Sequence, residues 1–174
     1  MCIRDRMNTA TTPASGGGDA ALARLAALGL ELPAPSVPRG SYVPYVLSGP
    51  YLAVAGQGPR LDGRLRYAGQ VGIALDLEQA RLAARLCALN LLAQVHAACG
   101  GRLDRVLRVV RLAGVVNAPV GFTEHAKVLD GASDLLHAVF GKRGLHARIA
   151  TGASSLPSDM AVEVEALFEI EPQA

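Results

Sequence analysis

Residues Met160–Ile170 alternate with a period of two. Val162, Val164, Ala166, Phe168 and Ile170 fall on one side of an extended chain. Ala161, Glu163, Glu165, Leu167 and Glu169 fall on the other. A strand with one wholly apolar face must lay that face against a second layer. The best source of that layer is a helix from about Leu77 to Cys99. Asp76 caps it, Gln79 completes a capping box, and Leu75 and Ala80 take the staple positions. Leu82, Leu86, Leu89, Ala93 and His96 form its expected inward stripe, with Arg81, Arg85 and Gln94 directed elsewhere. Gly100-Gly101 ends it.

The other elements follow from local signals. Asp19–Leu30 reads as a short helix with Leu22, Leu25 and Leu28 at helical spacing, closed by Gly29. The prolines of Pro33–Pro38 require extended chain. Pro44–Leu47 and Leu52–Gln57 are strands. Asp62-Gly63 turns the chain into a returning strand, Leu65–Tyr67. Val106–Val116 is rich in β-branched residues and long enough to cross a sheet. Phe122–Phe140 is helical, with a break expected at Asp130-Gly131, and His146–Ala153 is a further strand. The order hairpin, helix, strand, helix, strand, strand predicts an α+β fold. It is a two-layer sandwich, with two long helices on one face of a mixed sheet. Residues 1–18 read as a disordered tail and 19–174 as a single domain. Met1–Arg6 (MCIRDR) resembles translated sequencing adapter, which makes Met7 a sensible start.

Composition narrows the function. Of 174 residues, 51% are hydrophobic, only 18% are charged and 4% are aromatic; Trp is absent. A net charge of +2 with so few aromatics argues against a nucleic-acid partner. No apolar run is long enough for a membrane span, and no signal segment precedes the first helix. Cys2, Cys87 and Cys99 form no paired motif, which predicts a cytoplasmic chain with reduced thiols and no structural zinc. The aliphatic excess suggests surface buried between subunits.

Most mechanistic motifs fail. Gly56-Gln57-Gly58 lacks the third glycine and the following helix of a dinucleotide loop. The scattered histidines have no metal-ligand spacing, and Cys87 sits mid-helix among Leu and Ala as a core residue. What remains is Arg148, on an otherwise small and apolar strand, with Glu163 and Glu165 on one face of the last strand. These three make either a functional site or a surface pair across two strands, worth ~0–1 kcal/mol. Pattern alone favours the pair.

The stretch Gly144–Ile170 resembles the C-terminal signature of the YjgF/RidA (Rid) family of enamine/imine deaminases. The matching residues are Ala147-Arg148, Leu156-Pro157 and Val162-Glu163-Val164-Glu165-Ala166. Upstream, Ala55-Gly56-Gln57-Gly58-Pro59 resembles the family's Ser-Gly-Gln motif. Tyr42 stands where the family has a tyrosine, and Phe122–Ser133 resembles the segment leading into its helix. The resemblance covers about residues 38–170. With its N-terminal helix and longer Arg60–Tyr67 segment, the chain looks like a "YjgF-like" branch.

The resemblance implies a chorismate-mutase-like fold. It also implies a homotrimer with a central barrel and substrate clefts between subunits. The implied reaction hydrolyses 2-imino or enamine acids to 2-keto acids and ammonia, without metal or cofactor. Arg148 would grip the substrate carboxylate. Glu163 would activate water. Backbone groups at Gly56 and Ala150 would hold the imine nitrogen, and Tyr42 would close the pocket from the neighbouring subunit. Glu165 is expected to line the barrel. Ala150 replaces a cysteine common in deaminases, and Asp130, often Asn in relatives, is read as an N-cap for a helix starting at Gly131. Non-catalytic binding of a small carboxylate in the same cleft is the alternative, and ribonuclease or translation-inhibitor activity a remoter one.

Overall fold

The structure, a computed structural model, describes residues 18–172. The expected tail, apart from Gly18, lies outside them, as does Cys2. Helix α1 (Ala20–Ala27) is capped by Asp19, whose carboxylate accepts from Leu22 N at 3.0 Å. The same carboxylate accepts from Leu103 N and Asp104 N, and Asp104 accepts in return from Ala20 N at 2.9 Å. The first helix is thereby tied to the start of the central strand.

Five strands form the sheet: β1 (Tyr45–Ser48), β2 (Tyr51–Gln57), β5 (Val106–Asn117), β6 (Ala147–Ala153) and β7 (Val162–Ile170). Their spatial order is β1-β2-β7-β5-β6. All neighbours are antiparallel except β5 and β6. Parallel neighbours need a crossover, and helix α3 (His125–Phe140) supplies it. A separate two-residue hairpin, β3 (Arg60–Leu61) with β4 (Arg64–Leu65), turns at Asp62-Gly63 as expected. Helix α2 (Leu77–Ala98) carries the predicted capping box: Asp76 accepts from Gln79 N at 2.8 Å and Gln79 accepts from Asp76 N at 3.0 Å.

The architecture is the expected α+β sandwich, with α2 and α3 on one face of a mixed sheet. The period-two strand behaves as read. Val162, Val164, Ala166, Phe168 and Ile170 are buried under the helices, while Glu163, Glu165, Leu167 and Glu169 lie on the uncovered face.

Three details differ from expectation. The α2 stripe is rotated: Leu82 is 48% exposed, Leu86 and His96 are half-buried, and Ala80, Ala83, Ala84, Cys87 and Ala88 take the interior. Helix α2 is enclosed on two sides, by the sheet and by α3, so small residues go where backbones approach closely. Gln94, expected outside, is 1% exposed. The break at Asp130-Gly131 does not occur, because α3 runs through it. Gly131 is there for the crossing: a Cβ would collide with the Arg81 carbonyl of α2. Asp130 therefore lies within the helix and caps nothing.

Among the described residues, no helix lies over the other sheet face. Val46 and Ile149 on that face are 52% and 47% exposed, with Ala53, Val115 and Leu167 between them. No helix among the described residues is long and apolar enough to cross a membrane.

Candidate functional site

The site is built around a fault in the sheet. The β2–β7 ladder pairs Val54 with Ala166 and then jumps to Gln57 opposite Val164. Ala55 and Gly56 thus bulge where the ladder is interrupted, a device common beside active sites. The bulge brings the Gly56 backbone against Glu163. A Cβ at position 56 would lie 2.5 Å from Glu163 Oε1 and 3.0 Å from its Cδ. Only glycine leaves this carboxylate in place.

Glu163 is half-buried and accepts no hydrogen bond among the described residues. Burial pushes its pKa above the ordinary glutamate value, and the neighbouring Glu165 charge pushes the same way. Behind the sheet, the fully buried Cys87 thiol is held well above its usual range, by burial first and by Glu163 second. It is a packing residue, as expected.

Glu163, Glu165, Gly56 and Tyr42 line one cleft of about 520 Å³, together with Arg39, Arg60 and Ser158. Its walls are fixed by buried amides. Gln57 Nε2 donates to Ala55 O at 3.0 Å, and its Oε1 accepts from the Ser36 hydroxyl at 2.7 Å. Gln94 Nε2 donates to Ser36 O at 2.8 Å. Asn90 Nδ2 donates to Gly58 O at 3.2 Å and to Arg60 O at 2.8 Å. These bonds pin the proline-rich segment and the β2–β3 turn to α2. The opposite wall is the turn after Leu156-Pro157, where Ser158 and Asp159 both have φ of 56°. Such left-handed non-glycine residues cost of order 1–3 kcal/mol each and persist only where neighbours enforce them. Here Asn117 Nδ2 donates to Asp159 Oδ1 at 3.1 Å, and Gly69 N donates to Asp159 O at 2.7 Å.

Arg148 and Ala150 are not in this cleft. They lie on edge strand β6, in register with Leu112 and Gly114 on the helix-covered face. Glu163 pairs with Val115 on the opposite face. One chain therefore holds Glu163, Gly56 and Tyr42 at one place and Arg148 and Ala150 at another, with β5 between. The Arg148–glutamate surface pair does not form either. Arg148 Nη1 donates to Asp130 Oδ1 at 2.8 Å and to Ser133 Oγ at 3.0 Å, and Nη2 donates to Ala126 O at 3.2 Å. His146 extends the network: Nδ1 lies 2.6 Å from Gly144 O and Nε2 lies 3.0 Å from Ser133 Oγ. A carbonyl that close needs the proton on Nδ1, leaving Nε2 to accept from the serine. Burial lowers the His146 pKa, outweighing the Gly144 bond that raises it, and the Arg148 charge lowers it further.

Sequence reasoning missed Asn90, Gln94, Ser133 and His146. Asn90 and Gln94 did leave a signal, a polar pair at i, i+4 in an otherwise aliphatic helix run. Ser133 and His146 left none, because their pairing depends on how α3 crosses β6.

Residues 22–169 match the model of a family described as "YjgF/chorismate mutase-like, putative endoribonuclease". The chain belongs to this YjgF/RidA family. Among curated proteins it is similar to Protein TCP17 of Trypanosoma cruzi, at 48% identity over 85% of this chain and 92% of that one. Among solved structures it is similar to Atu1372 of Agrobacterium tumefaciens, described as of unknown function. The identity is 42%, over 88% of this chain and 94% of that one, with a TM-score of 0.83. It is likewise similar to a "putative endoribonuclease" from Shewanella oneidensis, at 40% identity over 86% and 99% of the two chains and a TM-score of 0.84. The bulge at Ala55–Gly56, the strained turn after Leu156-Pro157 and the Glu163 carboxylate all fall inside the family match.

Proposed function

We propose that the protein hydrolyses reactive 2-imino and enamine acids to 2-keto acids and ammonia, in clefts completed between subunits of a homotrimer. The observation that carries this reading is Glu163: a half-buried carboxylate with no partner among the described residues and a raised pKa, pressed against a glycine in a cleft. A group so placed suits general acid–base work.

In this mechanism a water beside Glu163 attacks C2 of the iminium, and Glu163 takes its proton. The new C–O bond gives a tetrahedral amino alcohol. The proton returns to nitrogen, the C–N bond breaks and ammonia leaves, while Glu163 takes the hydroxyl proton as the carbonyl forms and then hands it to the departing ammonia as ammonium. Gly56 gives the ligand a backbone surface free of any side chain. Tyr42, 54% exposed, lines the cleft of its own chain, rather than reaching it from the neighbouring subunit as the resemblance implies. No step requires a metal.

The two halves of the site support assembly. Arg148 lies on edge strand β6, and the Glu163 cleft lies towards the opposite edge. A head-to-tail contact that closes after three copies sets the β6 edge of one subunit beside the cleft of the next. It also covers the apolar sheet face that the helices leave bare. Arg148 then meets the substrate carboxylate from across the boundary, with Asp130 and Ser133 holding it in place.

The test is a coupled assay in which an amino-acid oxidase generates imines and semicarbazide traps them. The protein should compete with the trap, and Glu163→Gln and Arg148→Ala should abolish that competition. If the purified protein leaves semicarbazone formation unchanged, the reading is wrong. The ribonuclease wording attached to relatives is checked in the same preparation with RNA. The charged residues lining the cleft are Arg39 and Arg60 against Glu163 and Glu165, which offers a polyanion no net attraction.

A further inference from the structure

The cleft contains more cationic chemistry than a simple 2-imino acid needs. Beside Glu163 and Glu165 it is lined by Arg39 and Arg60. Both arginines also line an adjoining cleft of about 460 Å³ that shares Ser36 and Asn90 with the first. Neither guanidinium makes an ion pair or hydrogen bond among the described residues. Arg60 is half-buried, and its backbone is clamped by Asn90 at 2.8 Å, so it is held in position rather than adrift on the surface. A partly buried guanidinium without a direct ion pair is unfavourable, and Glu163, with Glu165 beside it, is equally unpartnered in the same cleft. The two do not pair with each other, since no ion pair within 4.0 Å joins them. A ligand with a cationic centre at one end and an anion at the other satisfies both. Arg148, ion-paired with Asp130 on β6, lies outside this cleft and would meet the shared carboxylate only across the proposed subunit boundary.

We propose that the preferred ligands are 2-imino and 2-keto acids whose side chain ends in a second acidic group, bound by Arg60 with Arg39. This rests on the deaminase reading and specifies its substrate class. Guanidinium forks suit carboxylates, and a neutral alkyl side chain would leave both arginines unpaired.

The test uses the full chain, with 2-oxoglutarate and 2-oxobutanoate as stable product-like probes in titration calorimetry at low salt. The diacid should bind about tenfold more tightly, the scale of one charge-assisted contact. Arg60→Gln and, separately, Arg39→Gln should each reduce that ratio, with folding checked by thermal unfolding. Arg39 is exposed, so its variant guards against misfolding of the other. Equal affinity for the two acids in the wild type overturns the proposal, as does a ratio that survives both substitutions. So does an equal loss for both acids, which would make Arg60 the grip for the shared carboxylate. If imines with neutral side chains are hydrolysed without a diacid preference, this inference fails alone. If no keto acid binds and no imine is hydrolysed, the deaminase reading fails with it.

Discussion

Gly56→Ala separates function from stability. The added methyl would sit 2.5 Å from Glu163 Oε1, 3.0 Å from Cδ and 3.1 Å from Cγ, where ordinary contact begins near 3.4 Å. The carboxylate must therefore retreat by about 1 Å. It can do so by rotating its own side chain, because no hydrogen bond among the described residues holds it. Gly56 does not have the positive φ that would strain an alanine. Folding stability should consequently change by no more than about 1 kcal/mol, with the stiffer unfolded chain offsetting some of the clash. Catalysis is more exacting: a 1 Å displacement of a working group costs on the order of 10²-fold. The expected result in the imine-trapping assay is a fall of that order in turnover, with the unfolding midpoint nearly unmoved. Wild-type turnover in a folded Gly56→Ala protein would refute the claim that Glu163 must stand against this glycine.

Further outcomes follow from the charged groups. Because burial raises the Glu163 pKa, folding favours its protonated form. That contribution is complete below the ordinary glutamate range and is lost as pH rises through the raised value. Glu163→Gln should thus be more stable than wild type at neutral pH in urea unfolding, and the difference should vanish in acid. The acid limb of turnover should lie above the ordinary glutamate pKa. His146 works in the opposite sense. Its lowered pKa gives stability that is present above the unfolded value of about 6.5 and is lost as pH falls through the folded value, and His146→Gln should flatten that loss. Asp130→Asn removes the charge that neutralises Arg148 but keeps an acceptor for Nη1. The pair is part-exposed, so stability should fall by at most about 1 kcal/mol. Affinity for 2-keto acids, measured by calorimetry, should rise.

How much was legible in the residues depends on what each feature rests on. The last strand and the Asp76 cap could be read because both are local: alternation and a four-residue box need no knowledge of neighbours. The inward face of α2 could not. The helix is rich in alanine and enclosed on two sides, so its interior is set by where α3 crosses rather than by a single leucine stripe. Gly131 looked like a helix breaker because only the crossing reveals why a glycine is needed there. The site divides in the same way. Resemblance drew attention to Glu163, Gly56 and Tyr42, and they meet in one cleft. That Arg148 lies on the other sheet face, held by Asp130 and Ser133, depends on the order β2-β7-β5-β6, which no spacing encodes.

The central claim is that Glu163 of one copy works with Arg148 of the next, and mixing two inactive variants tests it most directly. Glu163→Gln and Arg148→Ala should each be inactive alone. After subunit exchange, random trimers place an intact Glu163 beside an intact Arg148 at about a quarter of the interfaces, and activity should recover to about that fraction. No recovery in trimers shown by native mass spectrometry to be mixed, or full activity in a monomeric wild-type preparation, would contradict the account.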